Sequence, residues 1–423
     1  MPGMSRPSGR AEVAPVSTPA TAAPAPGARL AYLLPDPGIP VGGTKGASVH
    51  VDSLCGALAQ HGYDVTLYAT RVVGPLSAPG ADRVAVVPVD VGPMPSGPAA
   101  DARRMDAAAR FFEAVEPVLA TDPPNWVHER LSLFAGAGTV MASRLGLPRV
   151  VEVNAPVASE RRAHFSLSLP EEAAAAERAA LAGASVVAVS EPLAAWAAAL
   201  GAARTAVVSN GAILDPLGPR GRAEARRRHR HHLGVGDDCV VVGFTGSLKP
   251  WHGVELLVEA VGLASDRSSL ALLVVGDGPA REAVERAVAR LGDTVPVAMT
   301  GAVPFRTVPQ YLAAMDLAVA PYLPAEAFYF SPLKVAEAMA SLVPVVASDF
   351  PPVRELLGES GVLVPPGCPA ALADAIVALA SDPAERRRHA ADGWARAVAR
   401  LSWRRVAQRV ADAVPIDAMT GVR

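Results

Sequence analysis

The sequence has few cysteines, no long apolar run and no excess of positive charge. Its 3 cysteines lie far apart and form no CxxC pair: Cys55, Cys239 and Cys368. A disulfide framework or a zinc site is therefore not expected, and a reducing cytoplasm suits the chain. No apolar run reaches the roughly 18 residues of a membrane span. The formal net charge of −2 argues against bulk nucleic-acid binding, which needs a basic surface.

Lysine is scarce as well. The 423 residues include 39 lysines and arginines, of which only Lys45, Lys249 and Lys334 are lysines. A chain this rich in arginine can use lysine where a compact ammonium group is needed instead of a planar guanidinium. The three lysines are therefore candidate anion-binding residues, and chance is the alternative explanation for their scarcity.

The order of apolar and polar segments predicts an α/β fold. Residues 1–28 are small, polar and rich in proline, without the basic-then-apolar layout of an export signal, so we expect a disordered tail. Strands then alternate with helices in two series, residues 29–215 and 216–400, before a last helix and tail, 401–423. Such alternation is typical of two Rossmann-like, doubly wound domains with parallel sheets. The cleft between them is the expected ligand site.

Short apolar runs give the positions of the strands. Thirteen are expected: 28–34, 65–69, 84–88, 126–128, 150–153, 186–189, 206–208, 240–245, 272–275, 297–300, 317–320, 345–347 and 362–364. Residues 370–414 are expected to be helical. Between the two series, residues 226–232 are Arg-Arg-Arg-His-Arg-His-His. A solvated helix at a domain junction is favoured there over a metal or polyanion site.

The strongest local signal is Phe330-Ser-Pro-Leu-Lys-Val-Ala-Glu-Ala-Met-Ala340. Ser331 suits the N-cap of a helix, and Pro332 suits its first position. Lys334 and Glu337 are three residues apart, so they are expected to share an exposed face, and an ordinary ion pair is one interpretation. A helix N-terminus disfavours a cation, however, and Lys334 therefore indicates a bound anion such as phosphate. Glu337 could then accept hydrogen bonds from a ribose.

Two glycine-bearing loops are further candidates for phosphate binding. In residues 243–253, Gly246 permits close backbone approach, and Lys249 and His252 add positive charge. Residues 42–46 also lie between a strand and a helix, but they match neither the Walker spacing nor GxGxxG. A purely structural strand-to-helix turn is the alternative for each loop.

Two polar residues stand at expected strand ends, where catalytic groups often collect. His128 belongs to Trp126–Arg130, and Asn154 to Val151–Pro156. A structural histidine explains His128 about as well as a catalytic one. The sequence contains no GxSxG and no HExxH, so neither a serine hydrolase nor a zinc peptidase is indicated.

Taken together, the motifs resemble family 4 of the retaining, nucleotide-sugar-dependent glycosyltransferases, which have the GT-B fold. The residues that carry the resemblance are 208–211, 243–253, 275–279, 299–301, 311–322, 331–340 and 344–349. The resemblance implies that the second half binds the donor, that the first half binds the acceptor, and that the last helix crosses back to the first half. It implies a nucleotide diphosphate sugar as the donor, taken to be a UDP-sugar. It implies no cofactor and no metal ion. A front-face mechanism is implied, in which the leaving phosphate deprotonates the acceptor.

The resemblance also implies roles for individual residues. The expected catalytic residues are Lys249, Lys334 and His128. The expected donor-binding residues are Asn210, Gly246, Ser247, Gly301, Val303, Ser331, Pro332, Leu333 and Glu337. The expected acceptor-binding residues are Gly43, Thr44, Lys45 and Asn154.

The sequence departs from the family pattern at three positions: Tyr329 replaces an acidic residue, Ser247 an arginine and His252 a lysine. The acceptor could be a small polyol, a natural product or a lipid-linked envelope precursor. Residues 103–112 could lie on a membrane surface, although an ordinary amphipathic helix is favoured. A nucleotide-sugar 2-epimerase of the same fold and a non-catalytic nucleotide-sugar-binding protein remain alternatives.

Overall fold

The computed structural model describes residues 25–93 and 99–414. Most of the tail expected over residues 1–28 lies outside these ranges, as do residues 415–423. The described residues contain thirteen strands, each of which overlaps one of the predicted strands. The prediction of strands from short apolar runs is therefore confirmed.

The first domain is a seven-stranded sheet covered by helices. Its elements are β1 (Arg29–Leu34), α1 (Gly46–Gln60), β2 (Asp64–Ala69), β3 (Ala85–Pro88), α2 (Ala100–Thr121), β4 (Trp126–Arg130), α3 (Ala137–Leu145), β5 (Arg149–Val153), α4 (Val157–His164), α5 (Pro170–Leu181), β6 (Ser185–Ala188), α6 (Glu191–Ala199) and β7 (Arg204–Val207). The strand order is β3-β2-β1-β4-β5-β6-β7, and every pair is parallel. The order reverses between β1 and β4, where ligand sites of such sheets lie.

The second domain repeats this plan. Its elements are α7 (Gly218–Leu233), β8 (Val240–Thr245), α8 (Val254–Ser265), β9 (Leu270–Val275), α9 (Arg281–Leu291), β10 (Val297–Met299), α10 (Val308–Leu312), β11 (Leu317–Ala320), α11 (Leu333–Ala340), β12 (Val345–Ser348), α12 (Pro351–Leu357), β13 (Val362–Val364), α13 (Pro369–Ser381) and α14 (Pro383–Arg396). The six strands have the parallel order β10-β9-β8-β11-β12-β13. Its reversal lies between β8 and β11.

The central strands are apolar because helices cover both faces of each sheet. Every residue of β8 and of β9 is buried. Burial of a valine or leucine side chain contributes about 1.5–3 kcal/mol, so these continuous apolar runs hold the sheet in place. The predicted α/β class with two Rossmann-like sheets is confirmed.

The last helix, α15 (Trp403–Asp412), leaves the second domain and packs on α1 of the first. Its Trp403, Val406 and Val410 join the apolar cluster of α1. The Oγ of Ser402 accepts a hydrogen bond from the backbone N–H of Arg405 at 3.3 Å, which starts the helix. The expected crossing back to the first half is confirmed.

The chain passes between the domains twice, and the two passages pair with each other. Ala212 lies on the way out and donates its backbone N–H to Leu401 on the way back, at 2.7 Å. Ala212 and Ser402 also form an isolated parallel bridge. The link between the domains is therefore two-stranded.

The arginine- and histidine-rich run forms α7, a helix at the junction of the domains as predicted. It is not solvated throughout, because Arg230 is only 3% exposed. Arg226 and Arg230 donate to Asp316 at 2.7 and 2.8 Å, which fastens the helix to the second sheet. Among the described residues, no group of three or more His, Cys, Asp or Glu side chains is placed to hold a metal ion.

Candidate active site

The turn before α11 lies at the carboxyl end of β11 and faces the first domain. The helix begins at Leu333 with Pro332 in the cap position, one residue later than predicted. Ser331 is not the N-cap, because its Oγ accepts the backbone N–H of Asn210 at 2.9 Å. The Nδ2 of Asn210 donates in turn to the carbonyl of Ser331 at 2.6 Å. Two predicted donor-binding residues, far apart in sequence, are thus joined.

Lys334 and Glu337 do not share an exposed face, contrary to the prediction. Both side chains are half-buried, because the whole helix is covered by the core of the second domain. The Nζ of Lys334 lies 4.0 Å from the ring centroid of Phe244 and 5.4 Å from that of Tyr322. Burial lowers the pKa of Lys334 to about 7. Burial also raises the pKa of Glu337 to about 7, against the opposing charge of Lys334.

The loop after β8 brings more nitrogen atoms to the same place. The Nζ of Lys334 lies 3.5 Å from the Nδ1 of His252, which contacts the carbonyl of Ser247 at 2.6 Å. Burial lowers the pKa of His252 to about 2, and the charge of Lys334 adds to this effect. Lys249 is on the same loop, with its Nζ 4.8 Å from the ring centroid of Trp251. Two lysines and a neutral histidine therefore surround one end of the cleft.

Gly246 allows this loop to approach Lys334. Its φ is 124°, which a residue with a side chain rarely adopts, and a Cβ there would lie 3.4 Å from the Nζ of Lys334. A Cβ on Gly276, in the neighbouring loop after β9, would lie 1.9 Å from the Gly246 carbonyl oxygen. The backbone at Gly246 and Ser247 is left exposed to the cleft. Such a glycine-rich turn can cradle phosphate oxygens.

A cavity of about 260 Å³ adjoins Glu337 and is lined by both domains. The second domain contributes Glu337, Ser341 and the segment from Phe305 to Leu312, and the first contributes Ser77–Pro79. The predicted donor-binding residues Gly301 and Val303 are half-buried just before this segment. A volume of this size suits a nucleoside.

The wall from the first domain is held by Asp52 of α1, which sequence reasoning did not single out. Its carboxylate accepts the backbone N–H of Ser77 at 2.8 Å and that of Ala78 at 3.0 Å. The hydroxyl of Ser77 donates to the same carboxylate at 3.0 Å. Charge-assisted bonds of this kind fix a loop that has no regular structure.

The glycine loop of the first domain faces the turn before α11. A Cβ on Gly46 would lie 3.5 Å from the side chain of Leu333, so α1 and α11 begin close together. Gly43 is half-buried and Thr44 is exposed beside it. The Nζ of Lys45, also exposed, donates to the carbonyl of Gly38 at 3.0 Å, within its own domain. The glycine loop therefore approaches the turn before α11, whereas Lys45 bonds within its own domain.

Sequence reasoning also missed Glu152, the centre of a buried polar network at the end of β5. Its carboxylate contacts Tyr32 (2.8 Å), His128 (3.0 Å), Arg130 (2.7 Å), His50 (2.7 Å) and Asn154. Burial opposes the charge, but His50 and Arg130 hold the pKa of Glu152 well below its usual range. The feature of the sequence that could have identified Glu152 is a glutamate between two valines in a strand that is buried on both faces.

His128 is part of this network and is fully buried, with 0% of its surface exposed. Its Nε2 contacts Glu152, and its ring lies 4.9 Å from that of Tyr32. Asn154 is half-buried at the end of the same strand as Glu152. The predicted catalytic role of His128 stays a prediction, and the polar contact described for its ring is with Glu152.

Tyr329, which stands where the family has an acidic residue, connects the domains. Its carbonyl accepts the hydroxyl of Ser190 at 2.7 Å, and its ring packs on the apolar cluster around β5 and β6. Burial raises the pKa of its phenol, and the nearby Glu160 adds to the effect. The side chain therefore closes one edge of the cleft.

Two further features bear on where the protein acts. No helix in residues 25–93 and 99–414 is both long enough and apolar enough to cross a bilayer. The predicted amphipathic segment 103–112 lies in α2 and buries Phe111 and Phe112 in the core of the first domain.

Comparison with known proteins supports the same interpretation of the fold. A family model described as "Glycosyltransferase Family 4" matches residues 44–215, and one described as "Glycosyl transferases group 1" matches residues 239–382. The crystal structure of Anabaena HepE in complex with UDP-glucose superposes with a TM-score of 0.67 at 20% identity, over 91% of this chain and 98% of that one.

Curated relatives agree with the family models. The chain is 28% identical to a D-inositol 3-phosphate glycosyltransferase of Thermomonospora curvata, over 86% of this chain and 88% of the relative. It is 31% identical to an alpha-D-kanosaminyltransferase of Streptomyces kanamyceticus, over 40% of this chain and 43% of the relative. The matches to the first curated relatives span about half of their length or less. The two family models, the relatives and the paired Rossmann-like domains lead to one conclusion: the chain belongs to the family 4 glycosyltransferases and has the GT-B fold.

Proposed function

We propose that the protein transfers a hexose from a UDP-sugar to a hydroxyl of a small polyhydroxylated acceptor, with retention of the anomeric configuration. The observation that carries the proposal is the half-buried pair of Lys334 and Glu337 at the start of α11, beside a cavity of about 260 Å³. A lysine whose pKa is lowered by burial to about 7 is costly unless an anion neutralises it.

The donor is proposed to lie along the carboxyl end of the second sheet. Its diphosphate would contact Lys249, Lys334 and the first backbone N–H groups of α11, because a helix N-terminus and two ammonium groups favour negative charge. Its ribose would reach Glu337, whose carboxylate accepts hydrogen bonds from two hydroxyls. Its base would fill the cavity between Phe305 and Ser77–Pro79. The UDP-glucose complex of HepE supports the choice of a uridine nucleotide.

The chemical step is proposed to occur on one face of the sugar. The bond from the anomeric carbon to the phosphate oxygen breaks, the acceptor oxygen bonds to the same face, and its proton passes to the departing phosphate. Lys249 and Lys334 stabilise the charge that develops on that phosphate. The positive charge supplied by these residues supports a mechanism that needs no metal ion.

The acceptor is proposed to bind the first domain near Gly43, Thr44 and Asn154. The name of the Thermomonospora relative, a D-inositol 3-phosphate glycosyltransferase, supports a cyclitol or its phosphate. The exposed hydroxyl of Thr44 and the amide of the half-buried Asn154 suit the hydroxyls of such a ring.

The test is to incubate the protein with UDP-, GDP- or ADP-glucose and with inositol, inositol phosphate or an aminocyclitol, with and without EDTA. We expect release of UDP that depends on the acceptor and resists EDTA, with an α-linked product by NMR. Arg267→Ala, which removes an exposed ion pair with Asp374, is the control variant. A β-linked product would contradict retention, a changed sugar without acceptor would indicate a 2-epimerase, and binding without turnover would indicate a non-catalytic protein.

A further inference from the structure

His50 of α1 is a buried histidine whose two ring nitrogens face oxygen atoms on different parts of the chain. It is 4% exposed. Its Nδ1 lies 2.7 Å from the Oδ1 of Asn210, in the link between the domains. Its Nε2 lies 2.7 Å from the Oε1 of Glu152, in the first domain.

The direction of the hydrogen bonds follows from the last member of the chain. The carbonyl of Ser331 can only accept, so the atom of Asn210 that lies 2.6 Å from it is the amide nitrogen. The amide oxygen of Asn210 then faces His50 and accepts from Nδ1. The Nε2 of His50 faces the Glu152 carboxylate at 2.7 Å, but the geometry of this contact is not that of a hydrogen bond. The hydrogen bond that fixes the ring is therefore the one from Nδ1 to Asn210.

We propose that His50 is a positioning residue, which sets the turn Ser331–Leu333 through Asn210 and so couples the first domain to the diphosphate site. The inference rests on the proposed donor site. The Nδ1 of His50 fixes the side-chain amide of Asn210. Asn210 then holds Ser331 at two points, through its backbone N–H and its Nδ2.

The consequence for the donor concerns the hydroxyl of Ser331. Its oxygen accepts the backbone N–H of Asn210, so its own hydrogen remains available to another acceptor. A phosphate oxygen at the start of α11 is such an acceptor. If the amide of Asn210 turns over, its oxygen opposes the carbonyl of Ser331 and the turn shifts.

The surroundings of His50 hold its ring in place. Glu152 is the nearest acid, and it is itself contacted by Tyr32, His128, Arg130 and Asn154. On its own helix His50 has Asp52 and Cys55 nearby in sequence. From α15 it meets the ring of Trp403 edge-on, with centroids 5.3 Å apart. The described contacts thus combine one carboxylate, one amide oxygen and an aromatic ring.

The experiment compares UDP binding, by calorimetry, in the native protein, in His50→Gln and in His61→Gln. His61 is the control, because it directly follows α1 and contacts the C-terminal segment, at the carbonyl of Arg404. Loss of the buried hydrogen bond to Asn210 should weaken UDP binding about tenfold in His50→Gln. His61→Gln should bind UDP as the native protein does. Equal UDP affinity in native protein and His50→Gln would overturn the proposal.

A second measurement keeps the two proposals apart. Without nucleotide, the NMR shift of the Ser331 backbone amide should change in His50→Gln and stay native in His61→Gln. An unchanged shift in His50→Gln would overturn the positioning role even if UDP binds. Native protein that binds no UDP, together with a changed Ser331 shift in His50→Gln, would contradict the proposed donor and leave the positioning role in place.

Discussion

Lys334 and Glu337 lie one helical turn apart on α11, and burial moves their pKa values toward each other until both are about 7. Neither group therefore has a settled charge near neutral pH in the protein alone. A bound diphosphate favours the charged lysine, and ribose hydroxyls favour the charged glutamate. We therefore expect the pair to become fully ionised if the proposed nucleotide binds.

Glu337→Gln is expected to change how stability depends on pH. The folded pKa of Glu337, about 7, is above its unfolded value, so the folded state binds more protons between about pH 4.5 and 7. The stabilisation is complete below the unfolded pKa and is lost as the pH rises through 7. In urea unfolding, the free energy of unfolding of Glu337→Gln should decline less than that of the native protein as the pH rises from about 4.5 to 7. A Glu385→Gln variant, altered at a partly exposed surface acid, should keep the native decline, and an equal decline in Glu337→Gln would contradict the assignment.

Lys249→Ala is expected to lower turnover by about 100-fold or more while the fold stays intact, because one group that stabilises the leaving phosphate is removed. Lys45→Ala is the comparison, since the Nζ of Lys45 bonds to Gly38 of its own domain and should matter much less. The measurement is UDP release with circular dichroism on the same samples. Native turnover in Lys249→Ala would remove this residue from the mechanism.

Asp52→Asn is expected to loosen the segment 77–79 that lines the nucleoside cavity. An amide cannot accept all the bonds that the carboxylate takes from Ser77 and Ala78. UDP binding should weaken about fivefold, since bonds to a charged group contribute about 1.5–3 kcal/mol each and only part is lost. Asp90→Asn is the control, because the carboxylate of Asp90 accepts the backbone N–H of Gly92 in a different loop. Unchanged UDP affinity would show that the segment does not depend on Asp52.

Gly276→Ala is expected to destabilise the protein by about 1–3 kcal/mol and to impair donor binding. Its φ is 138°, and a Cβ would meet the Gly246 carbonyl at 1.9 Å, so the phosphate loop must shift. Gly234→Ala is the matched control, with φ 69° and no atom within 4 Å of the new Cβ. Gly234→Ala should lower the free energy of unfolding by only about 1 kcal/mol, because the new residue has a side chain at a positive φ. Chemical denaturation and UDP titration measure both effects, and similar losses in the two variants would contradict the steric argument.

The sequence was sufficient to predict the sheets, because strands buried on both faces are short apolar runs wherever they occur. It was less informative about α11. Helical spacing indicates that Lys334 and Glu337 share a side, but not that other elements cover that side. The cap at Ser331 was misplaced because a partner 121 residues away, Asn210, occupies its hydroxyl.

The polar network shows the same limit more clearly. His50 and Glu152 are 102 positions apart, and only the pairing of β1, β4 and β5 brings their elements together. Each is unremarkable in its own segment. Contacts that depend on register and on packing between domains have no local signature, whereas the glycines and lysines of the donor loops do.

The paired passages between the domains have a mechanical consequence. Two segments of the chain, which pair at Ala212 and Leu401, link the domains. We therefore expect the domains to move relative to each other by rotation about this two-stranded link. Because α15 completes the core around α1, the first domain does not correspond to a continuous stretch of sequence. A cut after residue 400 would remove one of the two linking segments and part of the core of the first domain, so the two halves form one unit rather than two separable modules.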